Sequence, residues 1–153
     1  MAKEQRKLTQ EVQERFWFLF GERGGQIVAN KDTGQLSKLK STVVTVAVDG
    51  LLFRFVHWRE NRQVHVASER LPDEWHELSA ILDVMEPDKV RRYSVIFFQD
   101  ATRLLRDHMD RIKEAFSPDR YPQVKQQLEH AYRYEMAVTR QVQNEINRGL
   151  GTL

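Results

Sequence analysis

The dipeptide Asp49-Gly50 stands between two runs rich in β-branched and aromatic residues, and it constrains the fold more than any other feature of the chain. Both central residues of a type I′ turn need a positive φ angle, so an Asp-Gly pair in this setting predicts a two-residue β-hairpin. Because the length of the turn fixes the register of the strands, we expect an antiparallel pair in which Val46 lies opposite Phe53.

A second polar turn follows this hairpin. With Glu60-Asn61 at its centre, the chain returns as a third strand over residues 63–68, and Phe55 lies opposite Val66. One face of the meander, the first face, is apolar and should meet the core: Val44, Val46, Val48, Leu51, Phe53, Phe55, Val64 and Val66. The second face is mixed: Thr45, Leu52, Arg54, Val56, Trp58, Gln63, His65 and Ala67. A mixed face is typical of a sheet that is wet or partner-bound on one side.

Apolar residues at helical spacing bracket the meander. The predicted helices cover residues 4–20, 72–85, 101–116 and 122–148. A short strand is expected at Gln26–Ala29, before a turn at residues 31–34. The segment Tyr93–Phe98 fits either a strand or the front of the next helix, and we favour a strand that ends at Asp100, which would cap the helix after it.

Hairpin connections and helices outside the meander together indicate the α+β class. We expect a mostly antiparallel β-meander of four to five strands, an N-terminal helix, and two long C-terminal helices packed on one side of the sheet. A chain of 153 residues suits one hydrophobic core, so residues 1–153 are interpreted as a single domain.

Composition excludes several classes of function. Because the chain contains no cysteine, a disulfide scaffold, a thiolate zinc site, an iron–sulfur site and a cysteine nucleophile are excluded. The first residues are charged and resemble no signal peptide, and the apolar runs are too short to cross a bilayer. We therefore expect a cytoplasmic protein without a membrane partner. A net charge of +2 is too small to indicate nucleic acid as the main partner.

The short motifs have structural explanations. Asp32-Thr33-Gly34 occurs once, in a turn, whereas an aspartic protease needs two such carboxylates. The Gly-rich segment 21–25 follows a helix, whereas a phosphate-binding loop follows a strand. None of the five histidines belongs to an HExxH pattern, and His57 and His65 fall on opposite faces of the predicted sheet. We expect no cofactor and no metal site.

Two ionisable residues fall within apolar stripes of the C-terminal helices. His108 lies inside the stripe of the helix 101–116, and Glu135 lies at the centre of the stripe of the last helix. Successive helices joined by a short loop pack as antiparallel neighbours, and buried charges are normally paired. We expect His108 and Glu135 to form a buried polar pair, or each to have another polar partner. A structural bridge and a catalytic acid–base pair both fit this placement.

The layout, a small α+β domain without a catalytic signature, is similar to that of many bacterial toxin-immunity and adaptor proteins. The likeness concerns layout alone, and no residue carries over from it. The leading hypothesis is a non-enzymatic protein-binding domain that recognises another protein, and a homodimer also fits. Arg54, Trp58 and His65 on the second face are the candidate contacts, because Trp and Arg dominate interface hot spots. His65 would make that contact pH-sensitive.

Two alternatives stay open at this point. The chain could be a small enzyme or ligand binder with its site between the sheet and the last two helices, and a deep pocket near His108 and Glu135 would favour that function. A weak nucleic-acid binder is the further alternative, although no recognition-helix module supports it.

Overall fold

The computed structural model describes residues 3–28, 34–36, 41–58, 61–86, 98–131, 144–146 and 148. Its elements are, in order, α1 (Lys3–Arg15), α2 (Trp17–Gly21), β1 (Gln26–Val28), β2 (Gly34–Leu36), β3 (Ser41–Val48), β4 (Leu51–Trp58), β5 (Asn61–Ser68), β6 (Leu71–Glu77), α3 (Leu78–Met85) and α4 (Phe98–Ala115). Residues 121–131 are also helical and form the described part of α5. The expected α+β class and the N-terminal helix are confirmed.

One antiparallel sheet carries the six described strands, in the order β1-β3-β4-β5-β6 with β2 also paired to β3. β1 pairs along residues 45–47 of β3 and β2 along residues 41–43, so the two short strands share one side of β3. The sheet is therefore five strand positions wide, which confirms the predicted meander of four to five strands. The strand β2 was not predicted, and its first residue falls in the expected turn at 31–34.

The β3–β4 hairpin has the predicted register. Asp49 has a φ angle of 54° and Gly50 one of 78°, as a type I′ turn requires. Val46 accordingly faces Phe53. The Asp-Gly pair thus determined the pairing of the two central strands.

The β4–β5 pairing lies two residues away from the predicted register. Trp58 pairs with Asn61, so Phe55 faces Val64 and not Val66. Side chains along a strand alternate between faces, so a shift of two residues leaves every side chain on its predicted face. All eight predicted first-face residues are buried, which confirms the assignment of the core face.

The predicted helix over residues 72–85 is wrong in its first half. Residues Leu71–Glu77 form the strand β6, and α3 begins at Leu78. The chain folds back on β5 with Ser68 facing Leu71 and Val66 facing His76. Pairing with β5 overrides the helical spacing that Trp75 shares with the apolar residues of α3, because sheet formation depends on tertiary neighbours more than on local preference.

A β-bulge in β6 accompanies this pairing. Between its two ladder positions, residues 72–75 of β6 stand against Ala67 of β5. Pro72 lies within the bulge, where its missing N–H costs no ladder hydrogen bond. β6 ends the described strand order.

Two helix boundaries also differ from expectation. The N-terminal helix divides at Phe16, whose φ of −110° and ψ of 35° are not helical. α4 begins at Phe98, so a strand that extends to Asp100 is wrong for residues 98–100, whereas residues 93–97 lie outside the described part of the chain. The last predicted helix is confirmed over residues 122–131, and residues 132–143 likewise lie outside it.

The hydrophobic core lies against the first face. It includes buried residues of α1, α2, α3, α4 and α5, which confirms helices packed on one side of the sheet. The Phe16 ring lies 4.7 Å from that of Phe55 and 5.8 Å from that of Phe98, measured between centroids. Gly25 allows the chain to approach α2, because a Cβ there would lie 2.6 Å from the Leu19 carbonyl oxygen.

The centre of the second face is buried within the chain. The expectation that solvent covers this face is therefore wrong at its centre. Val43, Thr45 and Ala67 each have 0% of their surface exposed in the isolated chain. Leu52 and Val56 are buried as well. A partner approaching this face would therefore meet side chains that the folded chain has already removed from water.

Candidate functional site

Arg54 and His65, two of the three predicted contact residues, are neighbours across the β4–β5 ladder. The Arg54 Nε and Nη2 atoms donate to His65 Nδ1 at 3.2 and 2.8 Å. Because Nδ1 accepts, the ring proton is on Nε2, which donates to Gln63 Oε1 at 3.1 Å. On its other side Arg54 faces Thr45 of β3, so its larger neighbour across the sheet is His65.

Burial fixes the charge of His65. Burial first, and the positive charge of Arg54 second, lower the pKa of His65 from 6.5 to about 4. The imidazole is therefore neutral across the physiological range. The predicted role of His65 as a sensor of physiological pH is wrong for this environment.

Trp75 completes the surroundings of Arg54. The guanidinium carbon lies 4.4 Å from the centroid of the Trp75 ring, which is within cation–π distance. The Trp75 Nε1 atom is buried, and no described residue forms a hydrogen bond with it. Trp58 ends β4, and its side chain lies outside the described side chains. The assignment of Arg54, Trp58 and His65 to a partner surface stays a prediction.

His108 has a polar partner other than the one predicted first. Its Nε2 lies 3.2 Å from Glu86 Oε1, and its Nδ1 donates to the Leu104 carbonyl at 2.9 Å. Both side chains are mostly buried, so this pair joins the end of α3 to α4. Glu135 lies outside the described residues, and the predicted pairing of His108 with Glu135 stays a prediction.

A polar cluster that the sequence did not indicate joins β6 to α5. Its members are Glu74 and His76 from β6 and Tyr121 and Lys125 from α5. The Tyr121 hydroxyl lies 2.8 Å from His76 Nε2, and Lys125 Nζ donates to Glu74 Oε1. We call these four residues the β6–α5 cluster. The helical interpretation of residues 72–85 concealed it, because it placed Glu74 and His76 on different sides of a helix.

Burial changes the pKa values of both Tyr121 and His76 in the β6–α5 cluster. Burial first, and the negative charge of Glu74 next, raise the pKa of Tyr121 to about 12. Burial lowers the pKa of His76. Within the described part of the chain, the second carboxylate oxygen of Glu74 is buried without a hydrogen-bond partner.

An exposed tryptophan stands beside α4. Trp17 has 48% of its surface exposed, and the guanidinium carbon of Arg106 lies 5.2 Å from its ring centroid. Arg106 Nη2 is also 3.4 Å from Glu22 Oε1. Arg23, which follows Glu22 in the chain, forms a salt bridge with Asp110 of α4 at 3.0 Å. We call Trp17, Glu22 and Arg106 the Trp17 surface.

A recess of about 510 Å³ opens where two hairpin turns meet the end of α4. Its walls are joined by the Glu69 N–H, which donates to the Gly50 carbonyl at 3.0 Å, and by Arg70 Nη2, which donates to the Phe116 carbonyl at 3.2 Å. Leu51 and Phe116 contribute apolar lining. The recess lies at the Leu51 end of β4, three residues along the strand from Arg54.

Two further classes of site find no support among the described residues. In that part of the chain, no three His, Asp or Glu side chains lie close enough together to hold a metal ion. Within the same ranges, every helix is too short or too polar to cross a bilayer. No family model, curated protein or solved structure matches the sequence or the fold.

Proposed function

We propose that the chain is a non-enzymatic protein-binding domain, of the immunity-protein or adaptor kind, and that it contacts its partner through the Trp17 surface. The observation that carries this proposal is the exposure of Trp17 beneath the Arg106 guanidinium. Tryptophan and arginine are the residues most enriched in interface hot spots, because they combine a large contact area with directional hydrogen bonds. The cytoplasmic location expected from the sequence is part of this proposal.

Local backbone geometry supports it. α1 ends at Arg15, and the non-helical Phe16 lets both Phe16 and Phe18 turn into the core. A short helix cannot bury all sides, so Trp17 faces outward. Leaving an indole in water forgoes a burial free energy of roughly 2 kcal/mol. A partner that covers Trp17 recovers that free energy.

The Trp17 surface suits a partner better than the Arg54–His65 pair does. The Arg54 guanidinium already contacts His65 and Trp75. Thr45 and Ala67, which lie near it on the same face of the sheet, are fully buried. Arg106, by contrast, has about half of its side chain exposed, and its pair with Glu22 is a surface contact that a partner carboxylate can replace.

The test is a comparative capture followed by a measured affinity. Tagged wild-type protein and the variants Trp17→Ala, Leu71→Ala and Arg103→Ala are used to capture proteins from the native host. Leu71 is another exposed apolar residue, and Arg103 is an exposed cation one turn from Arg106 on α4. Any protein captured by wild type is purified, and its Kd is measured for each variant.

We expect Trp17→Ala to weaken binding by about 2 kcal/mol or more, roughly 30-fold in Kd, with both controls close to wild type. An unchanged Kd for a folded Trp17→Ala variant would show that the partner binds elsewhere. If no protein is captured in a Trp17-dependent manner, the proposed function itself fails.

The recess favours a second candidate function, that of a small-ligand binder. Its volume of about 510 Å³ lies within the usual range for ligand sites, and α4 and the sheet together form it. Lys113 lines it from α4. A fragment screen by NMR tests this function: shifts confined to the backbone amides around Gly50 and Phe116 would support it, and a screen without such shifts would reject it.

A further inference from the structure

The described part of α5 is attached to the sheet by two kinds of contact. Tyr121, Val124 and Leu128 are buried in the hydrophobic core. Beside them, the β6–α5 cluster ties the same helix to the outermost described strand through Glu74 and His76. Release of α5 would therefore expose three apolar side chains and break the polar cluster in one step.

The polar part of this attachment is incompletely satisfied. The buried oxygen Oε2 of Glu74 has no hydrogen-bond partner among the described residues, and an unpaired carboxylate oxygen is costly. The opposite oxygen holds the contact with Lys125. A carboxylate with one unpaired oxygen stabilises the folded state less than a fully paired one does. The attachment of α5 to β6 therefore depends strongly on its remaining hydrogen bonds.

His76 makes the contact between β6 and α5 sensitive to acid. Its ring packs against those of Phe116 and Tyr121, at centroid distances of 6.1 and 6.0 Å, and these two rings stack on each other at 5.3 Å. The charged groups that face it are Glu74 on its own strand and Lys125 and Glu129 on α5. A proton added to the ring would introduce a second positive charge near Lys125 in a partly dry site. Two carboxylates oppose this effect, but burial outweighs them and lowers the pKa of His76.

The sign of the pH effect follows from linkage. A histidine whose folded pKa lies below its unfolded value of 6.5 stabilises the fold fully above that pH. Its contribution is lost as the pH falls through the folded pKa. A fall in pH therefore weakens the contacts between β6 and α5 in which His76 takes part.

We propose that the β6–α5 cluster, formed by Glu74, His76, Tyr121 and Lys125, is an acid-sensitive contact. Mild acidification releases α5 from the sheet while the remainder of the core stays folded. This response to acid belongs to the fold itself and does not depend on a partner at the Trp17 surface. It identifies α5 as the element that opens first.

Thiol labelling can measure the release of α5, because the chain has no cysteine of its own. A single cysteine at Leu128 reports opening of α5, and one at Ala101, buried in α4, reports opening of the core. Each is labelled with a disulfide reagent that reacts in acid, at pH 7.5 and pH 5.0. Rates are divided by those of the same protein unfolded in urea, which removes the intrinsic effect of pH on the thiol.

We expect the corrected labelling rate at position 128 to rise roughly fivefold or more relative to that at position 101 when the pH falls to 5.0. The variant His76→Phe keeps an aromatic ring against Phe116 and Tyr121 but cannot be protonated, so the rise should disappear. If Leu128→Cys does not fold, Val124→Cys replaces it as the reporter. Equal rises at both positions would show global unfolding, and a rise that survives in His76→Phe would show that another group is responsible; either result overturns the proposal.

Discussion

Replacing His65 by Asn should remove a defined part of the acid sensitivity of this protein. In the folded chain the pKa of His65 is about 4, whereas the ordinary value is 6.5. The unfolded chain therefore binds more protons between these two pH values, so stability is fully present above about pH 6.5 and is lost as the pH falls toward 4. From those two pKa values, the loss between pH 7.5 and pH 5.0 amounts to about 2 kcal/mol.

The Asn side chain is chosen because its amide oxygen can accept from Arg54 where His65 Nδ1 does now. Free energies of unfolding are measured by urea denaturation at pH 7.5 and pH 5.0 for wild type and for His65→Asn. The substitution alters stability at both pH values, so the quantity of interest is the difference between them. We expect this pH-dependent loss to be smaller in His65→Asn than in wild type by about 2 kcal/mol.

The matched control is His130→Asn, which changes an exposed histidine on α5. It should leave the pH-dependent loss of wild type unchanged. His76 contributes to that loss in the same direction, so some acid sensitivity remains in His65→Asn. If His65→Asn loses as much stability as wild type between the two pH values, the hydrogen bond from Arg54 to a neutral His65 is not present in solution.

The remaining predictions concern stability. Phe55→Ala should lower the free energy of unfolding by about 3–5 kcal/mol, because it empties a fully buried site against Phe16; a melting temperature equal to that of wild type would show that Phe55 is not in the core. Glu86→Gln should destabilise more than Glu129→Gln, because Glu86 is a mostly buried partner of His108 whereas Glu129 is exposed. Equal urea midpoints for the two variants would show that the contact between α3 and α4 contributes nothing.

The centre of the sheet was predictable because local chemistry and the hydrophobic pattern agree there. Asp49-Gly50 permits one tight turn, and its register buries every apolar residue of the first face. The next turn is polar throughout, so the sequence allowed two turn centres one residue apart, whose registers differ by two residues. Both place the same side chains in the core, and hydrophobic burial cannot distinguish them.

The error at residues 71–77 has a different origin. Trp75 and the apolar residues of α3 share a helical spacing, and the strand that replaces the helix is interrupted by a bulge, so it shows no clean alternation. Its identity depends on pairing with β5, which no local pattern records. This error also hid the β6–α5 cluster, whose two halves are 45 residues apart between His76 and Tyr121.

The candidate site was predictable in part. Alternation correctly placed Arg54 and His65 on one face, but the two-residue shift decided that they touch. Trp17, within the apolar run Phe16 to Phe20, is not among the predicted contacts, because helical spacing identifies only the core-facing stripe of the predicted helix 4–20. A signal was present: one helix cannot bury five consecutive residues, so at least one of them had to face water.

The bulged strand β6 has a consequence for how this protein behaves at high concentration. An outer strand is normally a template on which strands of other molecules can add and begin an aggregate. Here Pro72 removes one hydrogen-bond donor, the bulge breaks the regular spacing of the others, and Asp73 and Glu77 place exposed negative charge along the strand. A strand arriving from a neighbouring molecule would find too few evenly spaced backbone groups to pair with, and the sheet should end at β6 even in a crowded solution.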